Sequence, residues 1–253
     1  MSEQVFFDTL LVSWFVLALA VFITLFFIAA PYGRHSRRGW GPSINNRLSW
    51  IVMEAPAPIV FFTLFVLGDN RITPTILVFL ALWLLHYIHR AFIYPFGLQT
   101  STNRIPVFII ITAIFFNTIN GYLNGRYIFT FSSGYTNEWL TDPRFIAGLI
   151  LFIVGFIINR QADNSLRQLR RPDECDYKIS NSGLFRLISC PNYFGEIMIW
   201  SGWALSTWSL PGLAFAAWTF ANLSPRAWAH HMWYRKHFTN YPPERKALIP
   251  KIW

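Results

Sequence analysis

Leu48-Ser49-Trp50-Ile51-Val52-Met53-Glu54-Ala55-Pro56-Ala57-Pro58-Ile59-Val60-Phe61-Phe62 is an apolar run broken by a single carboxylate. Its composition is that of a membrane span, yet Glu54 stands in its middle. A charge at bilayer depth costs about 2.5–3.5 kcal/mol on insertion scales, so an acid survives there where it faces a partner or a wet cavity. Pro56 and Pro58 follow at once. Each lacks a backbone N–H, which predicts a distorted helix with carbonyls released beside the acid. A carboxyl kept neutral or ion-paired for packing is the plainer alternative, although intramembrane acids default to function.

The rest of the chain sets this run among others like it. Of 253 residues, 54% are hydrophobic and 13% charged. Soluble domains average about 45–50% apolar and ~25% charged, so the balance is that of a polytopic membrane protein. Apolar segments cover about 5–30, 48–67, 73–94, 106–123, 145–158, 194–208 and 211–228. The fifth extends to about 165 and the last to about 232 through polar residues that protein would cover, leaving a tail over 233–253. The expectation is one membrane-embedded domain over 1–253, an all-α bundle of seven transmembrane helices. All but three of the 21 lysines and arginines fall on one side of alternating loops, the exceptions being Arg71, Arg126 and Arg144. The positive-inside rule then puts the N-terminus outside and the C-terminus in the cytoplasm. These cations are scattered rather than gathered in a stripe, so the net charge of +9 orients the chain and does not mark a nucleic-acid binder. The first run carries Glu3 and Asp8 in place of a basic leader and reads as a retained span. Cys175 and Cys190 lie in a cytoplasmic segment, where neither a disulfide nor a metal quartet is expected.

Three polar constellations interrupt the apolar pattern. Leu85-His86-Tyr87-Ile88-His89-Arg90 closes the third span. Tyr87 and Arg90 share a helix face at i,i+3, and His86 and Arg90 at i,i+4. An interfacial anchoring belt would explain the set; beside Glu54, Tyr87 is also a candidate donor to a substrate carbonyl. After the fifth span, Asn159, Asp163 and Arg167 recur at i,i+4, with Arg170 and Arg171 beyond. Guanidiniums suit phosphates and the acid and amide suit ribose or base; lipid docking accounts for the arginines alone. Ser189-Cys190-Pro191-Asn192-Tyr193-Phe194-Gly195-Glu196 opens the sixth span. It reads equally as backbone shaped around a ligand or as a helix start capped by Asn192. The tail interleaves rings with cations from Arg226 to Lys251 without a recognised metal spacing. No G-x-G-x-x-G, P-loop, H-E-x-x-H or G-x-S-x-G occurs, so a nucleotide site here is built from helices and their loops.

Taken in order, Met53-Glu54-Ala55-Pro56, Leu85–Arg90, Asn159 with Asp163, Leu166-Arg167-Gln168-Leu169-Arg170, Asn192–Glu196, Ala204–Pro211 and Arg245–Pro250 closely resemble the steroid 5α-reductases (3-oxo-5α-steroid 4-dehydrogenases), nearest the type 2 enzyme. Each motif alone is weak; the ordered set from the second span to the terminus is specific. The resemblance implies a seven-helix membrane enzyme that uses NADPH to reduce the Δ4 double bond of a 3-oxo-Δ4 steroid entering from the bilayer. It implies that Glu54 and Tyr87 contact the C3 carbonyl. It further implies that Asn159, Asp163, Arg170, Tyr177, Asn192, Glu196, Arg226, His230, Tyr234 and Arg245 surround NADPH, and that Tyr32 and Arg104 align with cofactor contacts. Lys178 stands where close relatives carry Arg, losing bidentate phosphate geometry, and Ala229-His230-His231 where the type 2 enzyme has three histidines. No obligatory protein partner is implied.

Two other classes fit part of the pattern. A membrane methyltransferase of the isoprenylcysteine type shares the segment before Glu196 and the basic tail, but has no need of Glu54 with Tyr87. A proton-coupled carrier using Glu54 and His86 has no need of the Asn159, Asp163 and arginine face.

Overall fold

The computed structural model describes residues 2–28, 35, 39–98, 104–169 and 177–253. Its elements in order are helix α1 (Glu3–Phe27), strand β1 (Ser43–Asn45), α2 (Asn46–Glu54), α3 (Pro56–Val66), α4 (Pro74–Ile88), β2 (Arg104–Pro106), α5 (Val107–Arg126), α6 (Pro143–Gln168), α7 (Pro191–Thr207) and α8 (Leu210–His237). Every expected apolar segment is helical. Among the described residues, five stretches are long and apolar enough to cross a membrane: Glu3–Phe27, Asn46–Val66, Pro74–Gly97, Val107–Phe131 and Pro143–Gln168. With 17 residues, α7 falls short of the ~20 a full crossing uses. The protein is an all-α molecule of membrane type, and α1 leaves Val12, Val16, Leu19, Ile23 and Phe27 exposed, as lipid-facing residues are.

Boundaries depart from expectation where tertiary packing covers polar residues. The fourth segment does not stop at Leu123 but runs through Arg126 into a π-helical turn, Tyr127–Phe131. Asn124 and Gly125 are buried there, so their polarity does not end the helix. As expected, the fifth segment continues past its apolar part: α6 runs to Gln168, three residues beyond the expected end, with Asn159, Asp163 and Arg167 on the helix. The two short antiparallel strands pair Ser43 with Pro106 and Asn45 with Arg104; three residues apiece are too few for any alternation to announce them.

The second segment is two helices. α2 ends at Glu54 and α3 begins at Pro56, with Ala55 between them still in right-handed helical geometry. The cause is covalent: the carbonyls of Val52 and Glu54 would take the N–H groups of residues 56 and 58, and both are proline. The acid is thereby set at a helix end beside released backbone.

The chain divides into two compact units, Met1–Leu11 with Pro31–Ile146, and Val12–Ala30 with Ala147–Trp253. In the first, α5 lies close against α3 because Gly121 and Gly125 carry no side chain. A Cβ on Gly121 would stand 3.3 Å from that of Val60, and one on Gly125 would stand 3.0 Å from Leu64 Cδ1. The end of α5 is fixed by Arg126, whose Nε and Nη2 each donate to Glu3 at 2.7 Å. In the second unit, α6 and α7 meet backbone to backbone through Gly148, Gly155, Gly195 and Gly202. Gly195 therefore serves helix packing, not a ligand-shaped backbone. The C-terminal strap closes this unit: Ser189 N–H donates to the Lys246 carbonyl at 2.8 Å and Lys246 N–H to that of Leu187 at 2.9 Å.

Gly195→Ala tests the crossing. The added Cβ would lie 2.6 Å from the Asn159 backbone nitrogen, and overpacking of this kind costs about 1–3 kcal/mol. The thermal midpoint in detergent should fall by several degrees; an unchanged midpoint would mean that α6 and α7 are not held this closely.

Candidate active site

In the first unit the pair singled out from the sequence meets through a third side chain. Tyr87, 3% exposed, is on the last turn of α4. Its ring leans on Trp83 (centroids 5.1 Å), which stacks flat on Phe61 at 4.3 Å and donates its indole N–H to the Ala57 carbonyl at 3.1 Å. Asn117, on α5 and 4% exposed, lies between Tyr87 and Glu54. Its amide nitrogen donates to the Met53 carbonyl at 2.6 Å and faces Glu54 Oε2 at 3.4 Å. Its oxygen accepts the Tyr87 hydroxyl at 3.5 Å. The sequence reading weighed charges and passed over this uncharged amide; the signal was three asparagines, Asn117, Asn120 and Asn124, inside an apolar helix. All three are buried. His86 stands edge-on to Tyr87 at 5.1 Å. Past Tyr87 the helix widens into a π turn over His89–Ile93, which carries Arg90. Its guanidinium lies over Trp50 at 4.7 Å and Tyr94 at 4.9 Å, an aromatic clasp.

Arg104, on β2, turns back on its own ribbon, its Nη2 donating to the Ser43 carbonyl at 2.6 Å. Tyr32, Arg170 and Cys175 lie outside the described residues.

In the second unit four of the remaining candidates meet at the start of α7. Asn159 Nδ2 donates to the Asn192 carbonyl at 3.0 Å and to Glu196 Oε2 at 2.9 Å. Asn192 donates to Asp163 at 3.3 Å, and Trp200 to Glu196 Oε1 at 3.0 Å. Asn192 is thus no helix cap: Cys190 holds that position and gives no side-chain bond to the first turn. Tyr193, absent from the expected set, joins two members of it, its hydroxyl 3.2 Å from His230 Nε2 and accepting from Arg226 at 3.2 Å. Tyr177 meets Trp233 edge-on at 5.2 Å, and Tyr234 stacks on Tyr241 at 5.4 Å. Arg167 is half-buried on α6, while Lys178 is exposed. Arg245 is 4% exposed, lies over the Tyr241 ring and donates from Nη2 to Asn181 at 2.8 Å. Its Nε has no hydrogen-bond acceptor among the described residues. A buried guanidinium with an N–H unmatched among the described residues is suited to an anion.

Such a molecule is a membrane-type helical protein with an acid and a phenol inside one unit and a basic, amide-rich cluster inside the other. Comparison with known proteins then gives the family. A family model described as 3-oxo-5-alpha-steroid 4-dehydrogenase matches residues 103–253. Steroid 5-alpha-reductase of Gossypium hirsutum is 43% identical over 256 residues, spanning 100% of this chain and 99% of that protein. The 3-oxo-5-alpha-steroid 4-dehydrogenase 1 of Bos taurus is 38% identical over 257 residues (99% and 98%), and that of Homo sapiens 42% over 222 (87% and 85%). The chain belongs to the 3-oxo-5-alpha-steroid 4-dehydrogenase family, oxidoreductases of steroid metabolism. Membership separates the reductase reading from the methyltransferase and the carrier.

The strap supplies a pH prediction. Burial raises the Tyr241 phenol above its ordinary value, with the Ser189 hydroxyl, 2.6 Å away, opposing. A phenol whose pKa is higher folded than unfolded stabilises the fold fully below the unfolded value, about 10, and loses that contribution as pH rises through the folded one. The thermal midpoint should therefore fall more steeply above pH ~10 in the parent than in Tyr241→Phe. Parallel declines would assign the alkaline loss to other groups.

Proposed function

We propose that this protein reduces the Δ4 double bond of 3-oxo-Δ4 steroids with NADPH, giving the 5α product. The observation that carries the reading is the buried amide that joins Glu54 to Tyr87. The reading includes seven membrane crossings, an outside N-terminus and a cofactor cluster facing the cytoplasm, supported by the loop charges. The steroid arrives from the bilayer, because an apolar substrate partitions there and the outward helix faces are apolar.

The second unit has the groups a dinucleotide phosphate asks for. Arg245 has a buried guanidinium whose Nε is unsatisfied among the described residues. Arg226 and His230 are tied through the Tyr193 hydroxyl, so three basic side chains are available to phosphate. Asn159, Asp163, Asn192 and Glu196 form an acceptor-rich cluster suited to ribose hydroxyls and carboxamide. NADPH, when bound, supplies the reducing equivalent to C5 of the enone.

The chain's own residues act at the other end of the conjugated system. Reduction at C5 shifts negative charge onto the C3 oxygen, making an enolate, and a proton taken up at C4 then gives the saturated ketone. A hydroxyl donor aimed at that oxygen stabilises the transition state more than the ground state, which is what accelerates a reaction. Tyr87 is that donor, its ring immobilised by Trp83. Glu54 stands beside it, either as a protonated second donor or as the group that holds the phenol in place. Apolar walls exclude water, so the hydrogen bond acts in a low dielectric and the enolate is protected.

Assayed in detergent with testosterone or progesterone, Tyr87→Phe and Glu54→Gln should each lower turnover by about 10²–10³-fold, the cost of losing one such donor. NADPH affinity and thermal midpoint should stay near those of the parent. Arg245→Ala should instead raise the NADPH KM and spare kcat at saturation. A Tyr87→Phe protein with full turnover would remove the phenol from the mechanism.

A further inference from the structure

We infer that Asn117 is the positioning residue of the Glu54–Tyr87 pair, fixing which of the two presents a proton to the substrate; the inference rests on the reading just given. The amide's orientation is settled by its shortest bond. The Met53 carbonyl can only accept, and it lies 2.6 Å from one end of the side chain, so that end is the NH2 group. The oxygen is thereby turned to the Tyr87 hydroxyl, 3.5 Å away, and an amide oxygen can only accept. The phenol must donate. The second amide hydrogen faces Glu54 Oε2 at 3.4 Å, which makes that oxygen an acceptor. One uncharged side chain so assigns opposite roles to its neighbours: the phenol carries the proton and the facing carboxylate oxygen receives one.

Both of these distances are long beside the Met53 bond, and the difference has a use. The strong bond anchors the amide to the backbone next to Glu54. The 3.5 Å contact with the phenol is weak, so exchanging it for a ketone oxygen costs little. Asn117 has no room to withdraw, because Gly121, one turn along α5, brings that helix against Val60 on α3. The structural alternative is an amide that does no more than satisfy the Met53 carbonyl beside the α2–α3 break. The two roles differ in whether the effect passes through the Tyr87 hydroxyl.

A double-mutant cycle on the full-length protein in detergent separates them. The variants are Asn117→Leu, Tyr87→Phe and Tyr87→Phe/Asn117→Leu, with kcat, KM for testosterone, NADPH Kd and thermal midpoint measured for each; residual turnover is read by product accumulation. Asn117→Leu is expected to lower kcat by about ten- to a hundredfold, the scale of a misplaced catalytic group, at unchanged NADPH Kd. In the Tyr87→Phe background the same change should cost less than about twofold. An equal cost in both backgrounds, or full kcat per folded molecule, overturns the inference. Should Asn117→Leu fail to fold, Asn117→Asp keeps the shape and regains a donor only when protonated. Its kcat relative to the parent should rise as pH falls, and a flat ratio overturns the inference equally. If Tyr87→Phe itself proves fully active, the pair and the role of Asn117 fall together; a depressed Tyr87→Phe with an additive cycle removes Asn117 alone.

Discussion

The absent N–H groups of Pro56 and Pro58 are the constraint on which the first unit is organised. In an apolar medium a released backbone carbonyl finds no water, and leaving it unmatched costs several kcal/mol. The sequence places that problem within two residues of a carboxylate, which has the same need for donors. The Asn117 amide answers the acid's need, facing the Glu54 carboxylate, and anchors itself on the Met53 carbonyl, which lies between the two released ones. For it to arrive, α5 must run close against α3, and glycines at 121 and 125 allow that approach. Backbone chemistry, helix packing and the candidate catalytic pair are therefore one arrangement. A side chain larger than hydrogen at either glycine would press α5 back from α3.

Much of this was legible in the chain. Glu54 beside two prolines announced a broken helix with polar content, and the break falls where the prolines put it. The i,i+4 spacing of Asn159 and Asp163 announced a polar face, and both side chains meet the start of α7. What could not be read was anything that depends on the partner across an interface. Asn117 belongs to a helix whose apolar average hides three amides. The glycine at 195 carries the same letter whether a ligand or a neighbouring helix lies against it, and only the position of Asn159 shows that it is the helix. Arg104 looks free in sequence, yet a neighbouring strand that no periodicity announced supplies the carbonyl it binds. Tyr193 was quoted within a motif for its place between Asn192 and Gly195, while its function as a hinge between Arg226 and His230 depends on α8 lying beside it.

The two units solve the problem of a buried acid in the same way. In each, the NH2 of one asparagine reaches both a main-chain carbonyl and a glutamate Oε2: Asn117 with Met53 and Glu54, Asn159 with Asn192 and Glu196. In each, the carbonyl belongs to the helix that carries the acid, so the amide locks the acid's backbone as well as its oxygen. The distances differ in a way that separates the two tasks. Asn159 lies 2.9 Å from its carboxylate, and Trp200 takes the other oxygen at 3.0 Å, so Glu196 is held from both sides. Asn117 lies 3.4 Å from Glu54, which is only half-buried. A carboxylate gripped at both oxygens is an organising post whose charge is already spent on its neighbours. The 3.4 Å contact of Asn117 with Glu54 is weak enough to be exchanged, as the proposed role at an arriving ketone requires. The contrast fits the proposed division, in which Glu196 shapes the wall of the proposed cofactor cluster and Glu54 acts on the substrate.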